Sequence, residues 1–539
     1  MVNSDYTEAL LNMGNSYNNL EELDGAIACY ENVLKIDPKC ALAHFCMGLV
    51  YNKLEKKDDA ISCFQKVVEL DLDLPGTYSV LYINLRLACD WKLTDLLEKK
   101  MVFDHCCDKK LDEKTNEVAF ASLARTSNPA KNLAAARAEN IQILQSLSEV
   151  DLNFDFSSRS KRKRKKTIGY YSGNFKDHPN GHQTHAVFGC HNREEFEIIC
   201  YSSGKDDGSL YRNKIKDDCD RFIDIREISD VDAAKQIYQD QVDILVDLAG
   251  PIDGGRPGMC ALRPAPVQIR YLGMAGTSGA DYYDYLVTDR IVTPDVDAPF
   301  YTEKFINMPH CYMVNSIQPV STKKLKREDF GLPENGFVFC SFNTSYKFDR
   351  DMFHAWMEIL LQVPESVLWL LALNKAAEIN LKNEAESCGV DSERIVFSEK
   401  LPKPRHLARI HLADLALDTR VVNGAASTCD FLRMGLPIIT LKGSHFSSRM
   451  SAGILTAMGL PELITHDLKQ YRDLAVQLAT SERLEKIRTW LDKNRHSNPL
   501  FDTRRFVRNL ENAYKEVWDI YTQGREPRQI DVKESTEAN

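Results

Sequence analysis

The stretch LADLALDTRVVNGAASTCDFLRMGLPIITLKG, residues 412–443, decides how the fold is read. An apolar segment of strand length (412–419) ends in Asp-Thr, small residues and hydroxyls come after it, then a helical pattern, and a second apolar segment (436–443) closes the unit. Strands alternating with helices in this way predict a parallel sheet with covering helices. Between them Asn423-Gly424-Ala425-Ala426 reads as a tight, side-chain-poor turn, and Ser427-Thr428-Cys429-Asp430 fits a Ser/Thr-x-x-Asp/Glu capping box at a helix start. Free backbone N–H groups and the positive end of a helix dipole at that point would make an anion site. A plain helix cap needs the same residues, so the stretch alone leaves both readings open.

The same texture extends in both directions. Apolar strands at 167–172, 196–203, 221–225, 242–250, 267–273 and 283–289 form one series, and those at 337–343, 366–373, 394–400, 412–419 and 436–443 form a second. A Pro- and Lys-rich linker, 316–328, separates them. Two doubly wound domains in tandem leave a cleft between the carboxyl ends of their strands, where ligands of such sheets bind. The loops there are polar: 172–182, 247–258 and 272–284 in the first half, 342–350, 399–409 and 420–432 in the second. None is a Walker phosphate loop or a dinucleotide fingerprint. His178 and His182 lack the glutamate of a zinc-protease helix, and no His/Cys group has zinc spacing, so no metal is expected.

Residues on neighbouring loops favour the anion reading. Lys347 comes after one strand, and Lys403, His406 and Arg409 stand at i, i+3 and i+6 beyond another, roughly on one face of a starting helix. A nucleotide diphosphate suits the set. Lys347 and the helix N-terminus would meet phosphates, Lys403 and Asp430 ribose hydroxyls, and His406 the base.

Ahead of the sheets, residues 9–40 superpose on 43–74 with a period of 34, matching Gly14 with Gly48, Tyr17 with Tyr51, Ala26 with Ala60 and Tyr30 with Phe64. This is tetratricopeptide-repeat spacing, in which small residues let two helices approach while aromatics fill the gaps. Two repeats cannot bury their own apolar faces, so the array must dock on the next segment of the chain. Residues 75–166 are expected to form that helical dock, 167–320 and 321–525 the two α/β halves, and 526–539 a flexible tail. The basic run Arg159–Lys166 reads equally as a nuclear import signal or a solvated linker.

Bulk composition narrows the class. The 539 residues are 43% hydrophobic and 27% charged, with a net charge of −10, which argues against nucleic-acid binding. No run of about 18 apolar residues occurs, so no membrane span is expected. Fifteen cysteines without C-x-x-C pairs read as reduced thiols of a cytosolic-type compartment.

Nearly the whole chain resembles the tetratricopeptide-containing protein O-GlcNAc transferases of nucleus and cytoplasm, a group that also holds the SPINDLY-type protein O-fucosyltransferases. The resemblance rests on the repeats and on CDW (89–91), HPNGH (178–182), DILVDLAG (243–250), ALRPAPVQIRYLG (261–273), GTSGADYYDY (276–285), EKFINMPH (303–310), SVLWLL (366–371), KPRHLAR (403–409) and MGLP (434–437). It implies a GT-B fold of two Rossmann-like domains preceded by the repeats. It also implies a UDP-sugar donor, no metal or other cofactor, inversion at the anomeric carbon, and Ser/Thr hydroxyls of proteins as acceptors. Carried over by residue, Lys347 neutralises the leaving diphosphate, while Lys403, His406, Arg409 and Asp430 bind uridine. Leu272 and Gly273 line the sugar pocket. His178 lies near the acceptor hydroxyl as a proposed general base, with Asp247, at a strand end, as the second candidate. Acceptor proteins would engage the repeats, and homo-oligomerisation is left open.

The chain also departs from the pattern. Ala425-Ala426-Ser427, with Thr428 next, stands where close relatives have His-Thr-Thr or three threonines, Thr344 where the animal enzymes have glutamine, and only the short linker where they insert a domain. Each hydrogen bond to phosphate lost in this way would cost about 1.5–3 kcal/mol. These departures leave two rivals to UDP-GlcNAc transfer: O-fucosyl transfer from a GDP-sugar, and a repeat-bearing scaffold with an impaired transferase module.

Overall fold

A computed structural model describes residues 2–70, 77–102, 117–159, 165–252, 254–372 and 374–534. Four helices, α1 (Val2–Asn19), α2 (Leu23–Ile36), α3 (Ala41–Lys53) and α4 (Lys57–Glu69), form two hairpins. The repeat positions explain their close approach. A Cβ on Gly14 would lie 2.6 Å from the Tyr30 ring, and one on Gly48 would lie 2.8 Å from the Phe64 ring. The array continues through α4 onto α5 (Thr77–Leu87), where Ala60, Phe64, Leu81, Tyr82 and Leu85 share one buried cluster.

Helices α6 (Trp91–Val102), α7 (Ala119–Arg125) and α8 (Pro129–Ser146) complete the helical front. Asn128 caps α8 through the amides of Ala130 and Lys131, with Pro129 opening the helix. This segment docks on both halves. Trp91 Nε1 donates to Phe348 O (3.2 Å) in the second, and Leu123 lies against Gly276 in the first. Of the basic run, residues 160–164 lie outside the described residues. Arg159 is buried and donates to Tyr238 O at 2.9 Å.

The first half runs β1 (Lys166–Ser172), α9 (Pro179–Thr184), β2 (Phe196–Ser202), α10 (Leu210–Asp218), β3 (Arg221–Asp224), α11 (Asp230–Gln239), β4 (Ile244–Asp247), α12 (Pro257–Ala261), β5 (Val267–Arg270), β6 (Tyr285–Thr288) and β7 (Lys304–Asn307). The second runs β8 (Val338–Ser341), α13 (Arg350–Gln362), β9 (Val367–Leu371), α14 (Lys375–Ser387), β10 (Ile395–Ser398), α15 (Lys403–Arg409), β11 (Leu415–Leu417), α16 (Ala425–Arg433), β12 (Ile438–Leu441), α17 (Met450–Met458), β13 (Ile464–Thr465), α18 (Leu468–Ala479) and α19 (Arg483–Asn494). Helix α20 (Thr503–Thr522) then returns to the first half, and β14 (Ile530–Asp531) ends the described chain.

All pairings are parallel, in the orders β3-β2-β1-β4-β5-β6-β7-β14 and β10-β9-β8-β11-β12-β13. Both sheets reverse direction once, between β1 and β4 and between β8 and β11, and the crevices at the carboxyl ends of those pairs are where such folds take ligands. Every strand expected from the sequence forms.

The expected flexible tail does not hold. Residues 530–531 extend the first sheet beside β7, Ile530 is fully buried, and Asp531 pairs with Arg290 at 2.6 Å. The second half likewise stops short of residue 525. From α20 onward the chain packs on the first half through Tyr514, whose hydroxyl meets that of Tyr170 at 2.9 Å, and through Glu511, which meets His191 Nδ1 at 2.9 Å. Residues 535–539 of that tail lie outside the described residues.

Candidate active site

The turn after β11 is assembled around Asp418, which is fully buried. Its Oδ1 accepts from Gly424 N at 2.8 Å and its Oδ2 from Thr440 Oγ1 at 2.6 Å. Thr419 Oγ1 donates to Val422 O (2.6 Å) and Asn423 Nδ2 to Thr419 O (2.5 Å), closing the loop. A Cβ on Gly424 would fall 2.4 Å from Ser427 Oγ and 2.6 Å from Asn343 Oδ1, so any other residue would break the bond between those two side chains.

Helix α16 begins at Ala425, two residues before the expected capping box, and that box is not formed. Ser427 Oγ donates instead to Asn343 Oδ1 (2.9 Å), Thr428 Oγ1 bonds Ser451 Oγ (2.8 Å), and Asp430 is ion-paired with Lys403. No side chain caps the helix, and among the described residues the half-buried amides of Ala425, Ala426 and Ser427 have no acceptor. They form the donor end of an anion site. Lys347 completes it from the loop after β8, its Nζ donating to Asn423 O at 2.8 Å. Burial lowers its pKa to about 8, with Asp418 partly opposing. Thr344, exposed at the start of the same turn, contributes a backbone carbonyl to Lys347 N at 3.0 Å.

Next to the anion turn, α15 places Lys403 against Asp430, whose carboxyl burial pushes up while Lys403 holds it down in part. His406 is half-buried with its ring 5.3 Å from Phe342. Arg409 is fully buried under it, sandwiched against Phe342 and Trp369 at 4.7 and 5.6 Å. Its guanidinium donates to Glu399 O (2.9 Å) and to His406 Nδ1 (2.9 Å). Arg409 therefore orients His406 instead of facing the cleft, and it fixes the neutral ring with its proton on Nε2. Burial, with Arg409 and Lys403 adding to it, holds His406 well below the ordinary histidine range.

From the first half, His178 caps α9 with Nδ1 accepting from Asn180 N at 3.2 Å. The neutral ring then carries its proton on Nε2 and offers a donor there, so the general-base role expected of His178 does not fit this arrangement. Burial lowers its pKa to about 4, helped by Lys176. Asp247 is no base: Oδ1 accepts from Ala249 N (2.8 Å) and Gly250 N (2.9 Å), and Oδ2 is held by the Tyr283 hydroxyl. It shapes the turn against which Leu272 and Gly273 lie. Leu272 has φ of 58°, a strained conformation for a branched side chain, and Gly273 is next at 61°. Buried Arg270 holds that loop by the carbonyls of Met274 and Gly276, both at 2.9 Å.

The two halves meet at these loops. Ser447 of the second half donates from Oγ to Ala275 O (2.8 Å) and accepts at its carbonyl from Asn423 N (2.8 Å), linking the Leu272 loop to the anion turn. His182, across from Lys403, is lowered to about 4 by burial and by that lysine. Among the residues named from sequence, Lys347, Ala426, Ser427, Lys403, His406 and Asp430 gather on one crevice, and the first-half loop of Leu272 and Gly273 is tied to it through Ser447, with His178 near Lys400. Thr428, Arg409 and Asp247 serve as supports. Asp418, Asn343 and Ser447 are site residues that sequence reasoning misses. The signal for Asp418, an Asp-Thr closing a strand ahead of Asn-Gly, is present but carries no role by itself.

Three comparisons bear on this arrangement. The model of glycosyl transferase family 41 matches residues 89–325 and 316–510, and tetratricopeptide-repeat models match 14–55 and 43–74. An Arabidopsis thaliana protein named "Probable UDP-N-acetylglucosamine–peptide N-acetylglucosaminyltransferase SEC" is 39% identical over 376 residues, covering 68% of this chain and 38% of the relative. The UDP-N-acetylglucosamine–peptide N-acetylglucosaminyltransferase of Caenorhabditis elegans is 27% identical over 560 residues, covering 81% and 48%. The chain thus spans less than half the length of either relative. A lysine-to-methionine variant of the Thermobaculum terrenum O-GlcNAc transferase superposes with a TM-score of 0.76 at 24% identity, covering 97% of this chain and 99% of that one, which confirms the GT-B fold. With both sheets, the crevice and the repeats accounted for, the chain belongs to glycosyl transferase family 41.

Proposed function

We propose that this protein transfers N-acetylglucosamine from UDP-GlcNAc to Ser/Thr hydroxyls of proteins, with inversion and without a metal. The observation that carries the reading is the uncapped start of α16 with Lys347 beside it: three free amides and, from the loop after β8, an ammonium at the same turn, a donor set that suits a diphosphate. The names of the SEC and Caenorhabditis elegans relatives support the sugar and the acceptor. In the reaction the acceptor oxygen bonds the anomeric carbon as the bond from that carbon to the β-phosphate oxygen breaks, and the hydroxyl proton passes to the departing diphosphate. The electron pair leaves on the diphosphate, where Lys347 and the amides stabilise it without a cation. His178 Nε2–H donates toward the sugar or acceptor, and His406 offers a neutral face to the base.

Acceptor proteins would bind along the repeats. The free thiols of every described cysteine suit a cytoplasmic setting. Among the described residues no helix is long and apolar enough to cross a membrane.

The test incubates the purified chain with UDP-GlcNAc or GDP-fucose, an acceptor protein and a chelator, and weighs the product. An N-acetylhexosamine increment that survives the chelator and disappears in Lys347→Ala is expected. A deoxyhexose increment alone, or no transfer with either donor, overturns the reading.

A further inference from the structure

The turn that carries Lys347 is held from outside its own domain. Residues 345–347 form a single 3-10 turn, too short to fix a lysine by itself. The helical front holds it at Ser345, Tyr346 and Phe348. Ser345 Oγ donates to Leu87 O at 2.6 Å, Arg86 Nε donates to Tyr346 O at 3.0 Å, and Trp91 Nε1 donates to Phe348 O at 3.2 Å. The Tyr346 ring packs 5.5 Å from Phe120 of α7, and the Trp91 ring 5.4 Å from Phe353 of α13. Asn374 and Asn380 donate to the carbonyls of Leu87 and Ala88, both at 2.9 Å, so the α5–α6 corner is itself pinned to the second half. Arg350 closes the edge on Asp95 at 2.7 Å. Leu87, Trp91 and Ser345 are thus knit into one unit that ends at Lys347, whose ammonium is turned to Asn423 O.

We infer that the α5–α6 corner is a working part of the donor-phosphate site, with Arg86, Trp91 and Ser345 acting as positioning residues for Lys347. This rests on the phosphate role proposed for Lys347. The repeats join α5 directly through Phe64 and Tyr82, so the segment that would receive acceptor proteins and the group that receives the leaving phosphate share one continuous packing.

The test is a double-mutant cycle on the full chain, read as UDP affinity by calorimetry and as the pH at which that affinity begins to fall. Trp91→Phe removes the indole donor, and Ser345→Ala, the milder change, removes one hydroxyl. Each is expected to weaken UDP by about fivefold, the worth of one hydrogen bond, and to displace the basic limb from pH 8. Neither is expected to change affinity further in a Lys347→Ala background. Losses that simply add to that of Lys347→Ala, or unchanged affinity and limb in both variants, overturn the coupling. Lys347→Ala binding UDP as tightly as the parent overturns the phosphate role, and the coupling with it.

Discussion

Lys347 makes donor binding a proton-linked event. Burial lowers its pKa to about 8, and a diphosphate at the start of α16 would supply the counter-charge that draws the proton back. UDP affinity is therefore greatest below pH 8 and falls by up to about tenfold per pH unit above it. Titration calorimetry across that range checks this, and a flat profile above pH 8 removes Lys347 from the phosphate site. Asp418 allows a second check. Its carboxylate holds the lysine pKa up, so Asp418→Asn, which can still accept from Gly424 N, moves the fall in affinity to lower pH. A shift to higher pH contradicts the assignment. His178 sets the acid side: with a pKa near 4, kcat/KM shows no limb in the ordinary histidine range near 6.5, and one found there would place His178 in water instead of in the closed crevice.

At the scale of the element, the loop from Leu272 to Gly279 keeps its shape through one buried carboxylate. Glu303 accepts from Thr277 Oγ1 (2.7 Å), Ser278 N (2.7 Å), Ser278 Oγ (2.6 Å) and Arg270 Nη1 (3.1 Å). Burial alone would raise its pKa, but Arg270 and these donors outweigh it and hold it below the usual range. Stability from Glu303 is thus full above the unfolded carboxylate pKa and is lost as pH falls through the folded value. Glu303→Gln leaves Arg270 buried with an incomplete partner and is expected to cost about 3–5 kcal/mol in denaturant unfolding at neutral pH. A cost under about 1 kcal/mol would show the pair to be dispensable. The longer strands of both halves are legible in the sequence because each is a nearly continuous apolar run, as in LWLL or ILVD. Strands β7, β13 and β14 are not legible: they are two to four residues long and carry Lys, Asn, Thr or Asp, so they exist only because a neighbouring strand offers an edge. Local spacing places the α16 start late because Asp418 and Asn343, from outside the segment, hold Gly424 N and Ser427 Oγ, which spacing cannot show. Helical phase alone puts Arg409 in the cleft. Its burial depends on Phe342 and Trp369, from two other segments.

At the scale of the whole molecule, the two halves are held at a set opening by contacts outside the anion turn. Arg449 of the second half reaches Asp297 of the first and also donates to Ser444 O at 2.8 Å. Thr503 Oγ1 donates to Asn315 O (2.8 Å), fixing the point where α20 leaves the second half, and the Tyr170, His191, Glu511 and Tyr514 network receives that helix on the first. Past α20 the chain adds β14, so the last segment is a clasp: Ile530 is buried, Val532 N donates to Asn307 O at 3.0 Å, and Asp531 forks onto Arg290 at 2.9 and 2.6 Å. Removing residues 526–539 exposes the β7 edge and the apolar surface covered by Ile530 and Val532. That costs about 3–5 kcal/mol for the two side chains and lowers Tm by several degrees. Because α20 still bridges the halves, kcat/KM for sugar transfer at low temperature is expected to stay within about twofold of the parent. A truncation that leaves Tm unchanged returns the segment to the status of a loose tail. One that abolishes transfer in a fully folded protein shows instead that β14 sets the opening of the crevice.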